Sequence, residues 1–193
     1  MRKALYVLSS LEDVDIDWMA RQGSVEHVSR GATLIEEKKP IAHLYVVLEG
    51  EFSVRVGEAG QAIEVARLLS GEIVGEMSFV DARPPSASVV ATRDSSVLAL
   101  RRDALSAKLE RDGLFASRFY RAIARFLADR LYVTVGRFGY GSPRQDADVD
   151  AIDDEAMEGV SLAAVRFDLL LKRLSGDYRA RNTKATEPQH AIS

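Results

Sequence analysis

The run Gly71-Glu72-Ile73-Val74-Gly75-Glu76-Met77-Ser78-Phe79, followed after a short spacer by Pro84-Pro85-Ser86-Ala87-Ser88-Val89, holds the residues best suited to chemistry. A tight turn between two strand-like runs sets a carboxylate, small hydroxyl side chains and backbone N–H groups side by side. Donors grouped in this way suit a phosphate, and a carboxylate suits a sugar hydroxyl. Gly75 permits a backbone conformation or close approach that a side chain would block, and Glu76 beside it can accept hydrogen bonds from a diol. On spacing alone the same residues also fit a β-turn carrying a surface glutamate.

Other chemistries find little support. The chain has 193 residues and no cysteine, which removes disulfides, thiolate metal sites and cysteine nucleophiles. His27, His43 and His190 have no metal-like spacing. Asp146, Asp148 and Asp150 stand like the first acids of a calcium loop, but Ala151 occupies the glycine position and Met157 the final acid. No nucleophile elbow or phosphate loop of the Gly-Lys-Ser type occurs. We therefore expect no enzyme, no metal and no cofactor.

Leu11, Val14, Ile16, Trp18 and Met19 among Asp13, Asp15 and Asp17 predict a short helix over 11–22, with acids at its positive end and Gly23 ending it. From Val25 to Leu100, short runs rich in Val, Ile and Leu punctuated by glycines predict an antiparallel β-roll or jelly roll. Glu51 to Val56 alternates most clearly, Glu58-Ala59-Gly60-Gln61 reads as a hairpin tip, and Ala62 to Leu69 as the returning strand. Two more strands fall between Val89 and Leu100. After Arg101 the period turns helical, and Phe115, Phe119, Ile123, Phe126 and Leu127 share a face of a helix over about 114–138. The fold class is thus α+β, with flanking helices and a long helix after the barrel.

The turn resembles the phosphate-binding segment of the cyclic nucleotide-binding domain family. Gly75-Glu76-Met77-Ser78-Phe79 is similar to the family's Gly-Glu-Leu-Ala-Leu-like run, and Ser86-Ala87-Ser88 to the residues that follow its arginine. Gly31-Ala32-Thr33-Leu34-Ile35 and Leu44 to Glu51 resemble the family's early strands. Ala128 to Thr134 resembles the long helix of its catabolite-activator-type sensor domains, so the likeness covers about residues 5–138. It implies that Glu76 meets a ribose 2′-hydroxyl with Gly75 and Met77 beside it, that Ser86 and the N–H of Ala87 meet a cyclic phosphate, and that Ser88 or Thr134 approaches the base. Pro85 stands where the family's arginine is expected. Losing that charge-assisted contact would weaken binding by about ten- to a hundredfold. Proline also withholds an N–H. Arg83, two residues earlier, is either a substitute clamp or a solvent-facing loop residue.

The expected organisation is a cyclic nucleotide-binding-like domain over 1–138, an acidic linker over 139–158, an amphipathic helix over 159–175 and a disordered tail over 176–193. Residues 146–158 hold seven acids and no base. Arg111, Arg118, Arg121 and Arg125 form a stripe along the long helix, yet a net charge of −3 favours a solvated face over nucleic acid, and no DNA-binding helix-turn-helix follows. The longest apolar run, Ile41 to Leu48, is broken by His43 and too short for a bilayer. The expectation is a cytoplasmic regulatory module with a possible cyclic nucleotide ligand, a homo-oligomer through the 114–138 helix, and a possible protein partner through 159–174. A ligand-free scaffold is the alternative.

Overall fold

The computed structural model describes residues 5–57, 61–137 and 161–175. Helices α1 (Leu5–Ser10) and α2 (Asp13–Gln22) come first. They are followed by strands β1 (Ser24–Val28), β2 (Thr33–Ile35), β3 (His43–Glu49), β4 (Glu51–Val56), β5 (Ile63–Leu69) and β6 (Ile73–Val74). Helix α3 (Glu76–Asp81) precedes β7 (Ser88–Ala91), β8 (Ser95–Arg101), α4 (Arg102–Arg111) and α5 (Gly113–Arg137). A last helix, α6, spans 161–175.

The strands form two antiparallel sheets, in the orders β1-β8-β3-β6 and β2-β7-β4-β5. This is the β-roll with flanking helices expected from the sequence. Strands β3 and β8 are buried on both faces. Leu44, Val46, Leu48, Leu98 and Leu100 point into a core shared with the helices, whereas Tyr45, Val47, Val97 and Ala99 point into a second core between the sheets. Burial on both faces explains why Leu44 to Leu48 reads as a continuous apolar run rather than an alternating one. The β4–β5 pairing places Val56 opposite Ile63, consistent with the hairpin expected around 58–61, of which residues 58–60 lie outside the described residues.

The helical half shows more detail than its period announced. The apolar pattern after Arg101 divides into two helices at Asp112, whose Oδ1 accepts the N–H of Phe115 at 2.9 Å and so caps the start of α5. At the start of α2, the N–H of Glu12 donates to Asp15 Oδ2 at 2.8 Å. Arg118 on α5 donates to both oxygens of the same carboxylate, at 2.7 and 3.0 Å, and to Glu12 at 3.2 Å. Arg118 therefore leaves the expected basic stripe, while Arg111, Arg121 and Arg125 remain exposed.

Helix α6 packs back on its own chain. Leu170 and Leu174 join the core that contains Leu8, Leu11 and Ile16. Arg166 Nη1 donates to the Ser9 carbonyl at 2.7 Å. The apolar face expected to receive a partner protein is turned inward, and Leu162 and Val165 stay outside it, 43% and 62% exposed. The acidic segment and the tail lie outside the described residues. Among those described, no helix is long and apolar enough to cross a membrane.

Candidate ligand-binding site

The segment from Gly71 to Val89 contains a helix. Gly75 is its N-cap, with φ +89°, in the left-handed region that glycine occupies without strain. A Cβ there would lie 2.7 Å from Ile41 Cδ1 and 3.3 Å from the His43 carbonyl, so the conformation favours glycine and a side chain would fit only with a shift of Ile41. The chain then makes the six residues of α3, too short to carry a helical period in the sequence. Two contacts fix α3 to the helical layer. Arg102 Nη2 donates to the Ser78 carbonyl at 2.6 Å, and Phe79 meets the Phe119 ring edge-on at 5.8 Å between centroids.

Glu76 is the first residue of α3 and is 2% exposed. Its Oε1 accepts a hydrogen bond from Arg130 Nη1 on α5 at 2.5 Å. Burial pushes the Glu76 carboxyl above the ordinary range; the Arg130 charge and the N–H groups of Glu76 and Gly75 pull the other way. The Arg130 guanidinium also lies over the Phe126 ring, one turn earlier on α5, at 5.1 Å from its centroid. A buried carboxylate is thus held by a cation from an element far away in the sequence.

These residues border a cavity of about 670 Å³ between the strands and α5. Gly75, Glu76 and Met77 reach it from the start of α3, Pro85, Ser86 and Ala87 from the loop before β7, and Phe126, Leu127 and Arg130 from α5. Much of the remaining wall is aliphatic, including Val54, Leu68 and Val89. The volume falls in the range of small-molecule sites, and an apolar wall with a few convergent polar groups is their usual character.

Five of the site residues expected from the sequence, Gly75, Glu76, Met77, Ser86 and Ala87, therefore meet around one space. Ser88 is directed elsewhere: its Oγ accepts the N–H of Glu37 at 3.0 Å. Arg83 does not reach the cavity as a substitute clamp. It is exposed and paired with Asp81, Nε to Oδ2 at 2.7 Å, because the chain turns outward at the end of α3. The side chain of Thr134 lies outside those described. Sequence reasoning assigned no role to Arg130, although the residue belongs to the segment that carried the resemblance. Its position one turn beyond the buried Phe126 is the signal that points to it.

The family model for the cyclic nucleotide-binding domain matches residues 25–112. A cyclic AMP receptor protein of Thermus thermophilus is 38% identical over 87 residues, which are 45% of this chain and 40% of that protein. An NTE family protein of Mycobacterium bovis is 28% identical over 121 residues, 63% of this chain and 20% of the relative. The chain thus spans about a fifth to two fifths of the length of these curated relatives. Among solved structures, a cyclic nucleotide-binding domain from Methylobacillus flagellatus superposes with a TM-score of 0.62 at 22% identity, covering 76% of this chain and 85% of that one. At that identity the likeness concerns the fold.

Proposed function

Residues 25–112 are a domain of the cyclic nucleotide-binding family, and on that premise we propose that the chain is a non-enzymatic regulatory module whose cavity takes a nucleotide-like ligand. The observation that carries the proposal is the shared wall of the cavity: the cradle of Glu76, Ser86 and Ala87 on one side, Phe126 and Arg130 of α5 on the other. A ligand held by both biases the position of α5 against the strands to the extent that it binds two arrangements unequally. Glu76 accepts from a sugar hydroxyl, and Ser86 and Ala87 meet the polar end. Pro85 supplies neither charge nor N–H, so a cyclic nucleotide binds more weakly than an arginine-containing cradle would allow. The module acts in the cytoplasm, and exposed Leu114, Tyr120 and Leu131 on α5 support an association between copies.

A second reading, a scaffold that binds no ligand, draws on the Glu76–Arg130 pair, which satisfies the buried carboxylate from within the chain. Calorimetric titration of the full chain with cyclic AMP, cyclic GMP and their nucleosides separates the two. Saturable heat that disappears in Glu76→Ala supports the sensor. Absence of heat from all four compounds at millimolar concentration supports the scaffold.

A further inference from the structure

The charges around the cavity cancel. Among the described residues its wall contains four ionisable side chains, Arg67, Glu72, Glu76 and Arg130, two of each sign. Arg130 is paired with Glu76. Arg67 is held by Glu64 at 2.7 Å and by Glu51 at 3.1 Å. The loop before β7 contributes a proline where it lines the space. An anion entering such a cavity loses its hydration and meets no surplus of positive charge, which is unfavourable in apolar surroundings. A neutral ligand escapes that cost.

Resting on the reading of the cavity as a nucleotide-like site, we infer that its preferred ligand class is an uncharged nucleoside, with a flat apolar body and a free vicinal diol, rather than a phosphodiester. The chemistry of the wall matches each part. The aliphatic side chains and the Phe126 ring take the body of the ligand. The Glu76 carboxylate already accepts from Arg130 Nη1 and from the N–H groups of Gly75 and Glu76, and the acceptor capacity left to it suits hydroxyl donors: a nucleoside offers its 2′- and 3′-hydroxyls, whereas a 3′,5′-cyclic nucleotide keeps only the 2′-hydroxyl. Arg130 remains beside Glu76 and balances its charge when the diol binds. Recognition by hydrogen bonds inside a charge-neutral wall favours the nucleoside over its anionic counterpart.

The test is a comparison of adenosine with cyclic AMP, and of guanosine with cyclic GMP, by calorimetry on the full chain, in wild type and Pro85→Arg. We expect each wild-type nucleoside to bind more tightly than its cyclic nucleotide. Pro85→Arg, by adding one uncompensated cation to the wall, raises cyclic nucleotide affinity by about ten- to a hundredfold relative to the nucleoside. Equal or tighter wild-type binding of the cyclic nucleotide overturns this inference and leaves the sensor reading standing. Binding by neither class overturns both. The wild-type comparison decides the matter even if the Pro85→Arg chain does not fold.

Discussion

Glu76 and Arg130 lie 54 residues apart and form an ion pair across the cavity wall, Oε1 to Nη1 at 2.5 Å, joining the start of α3 to the far half of α5. The carboxylate is almost wholly buried and the guanidinium is about one-third exposed, so removing one partner is not equivalent to removing the other. Arg130→Met strands a buried carboxylate and is expected to destabilise the chain by about 2–4 kcal/mol. Glu76→Gln leaves a neutral amide and an arginine with access to water, and costs less. The double variant recovers part of the Arg130→Met loss. Urea unfolding midpoints of the four chains check this order.

The same pair sets a pH dependence. Burial raises the Glu76 carboxyl above its unfolded value, so between those two values the folded chain binds more protons than the unfolded one. Stability contributed by this group therefore falls as pH rises through that window. Asp81, Asp103 and Asp112 are shifted down by their basic and backbone partners and act in the opposite direction, losing stability as pH falls. The difference between wild type and Glu76→Gln isolates the raised group. That difference is expected to grow in favour of Glu76→Gln as pH rises above the ordinary glutamate range, and to extend to higher pH in the Arg130→Met background. Thermal melts at stepped pH measure it.

A second long-range arginine holds the helical layer. Asp15 is 1% exposed and takes two hydrogen bonds from Arg118. Arg118→Ala leaves that carboxylate buried beside the α2 start, and the expected loss is about 3–5 kcal/mol. Arg118→Lys keeps the charge without the two-pronged geometry and recovers only part of the loss. Denaturant midpoints of both variants test the assignment. Equal stability for wild type and Arg118→Ala would return Arg118 to a solvated stripe.

The cradle glycine makes a sharper prediction. Gly75→Ala combines a left-handed conformation with a Cβ 2.7 Å from Ile41, and is expected to cost about 2–3 kcal/mol. Gly31 has a similar φ of +84° but nothing within 4 Å of an added Cβ, so Gly31→Ala is expected to cost about 1 kcal/mol. The ratio of the two losses, read from unfolding curves, separates crowding from backbone strain.

These contacts mark where the sequence is readable. The alternation of Glu51 to Val56, the apolar run of β3 and the helical period from Phe115 onward are local patterns that name elements; the buried face is legible only for the helix, since in β4 Ser53 is buried and Val56 exposed and β3 is buried on both faces. Gly75 and Glu76 are legible through the resemblance of their segment to the family's, since spacing alone fits a β-turn with a surface glutamate equally well, whereas Glu76 is buried. Pairings between distant segments leave no such pattern. Nothing near Glu76 announces Arg130, and nothing near Arg118 announces Asp15, because each pair is created by the packing of α5 against elements from the first half of the chain. Helix α3 leaves no helical period in the sequence because six residues make fewer than two turns. The inward face of α6 was visible as apolar spacing, but its destination on α1 and α2 was not.

On the proposed function, an occupant of the cavity is felt by α5 as well as by the cradle. Amide hydrogen exchange on the full chain, with and without saturating adenosine or cyclic AMP, tests it most directly. Protection is expected to change together in Gly75 to Ser78 and in Phe126 to Leu131. Protection confined to the cradle, with exchange in α5 unaltered at full occupancy, would contradict it.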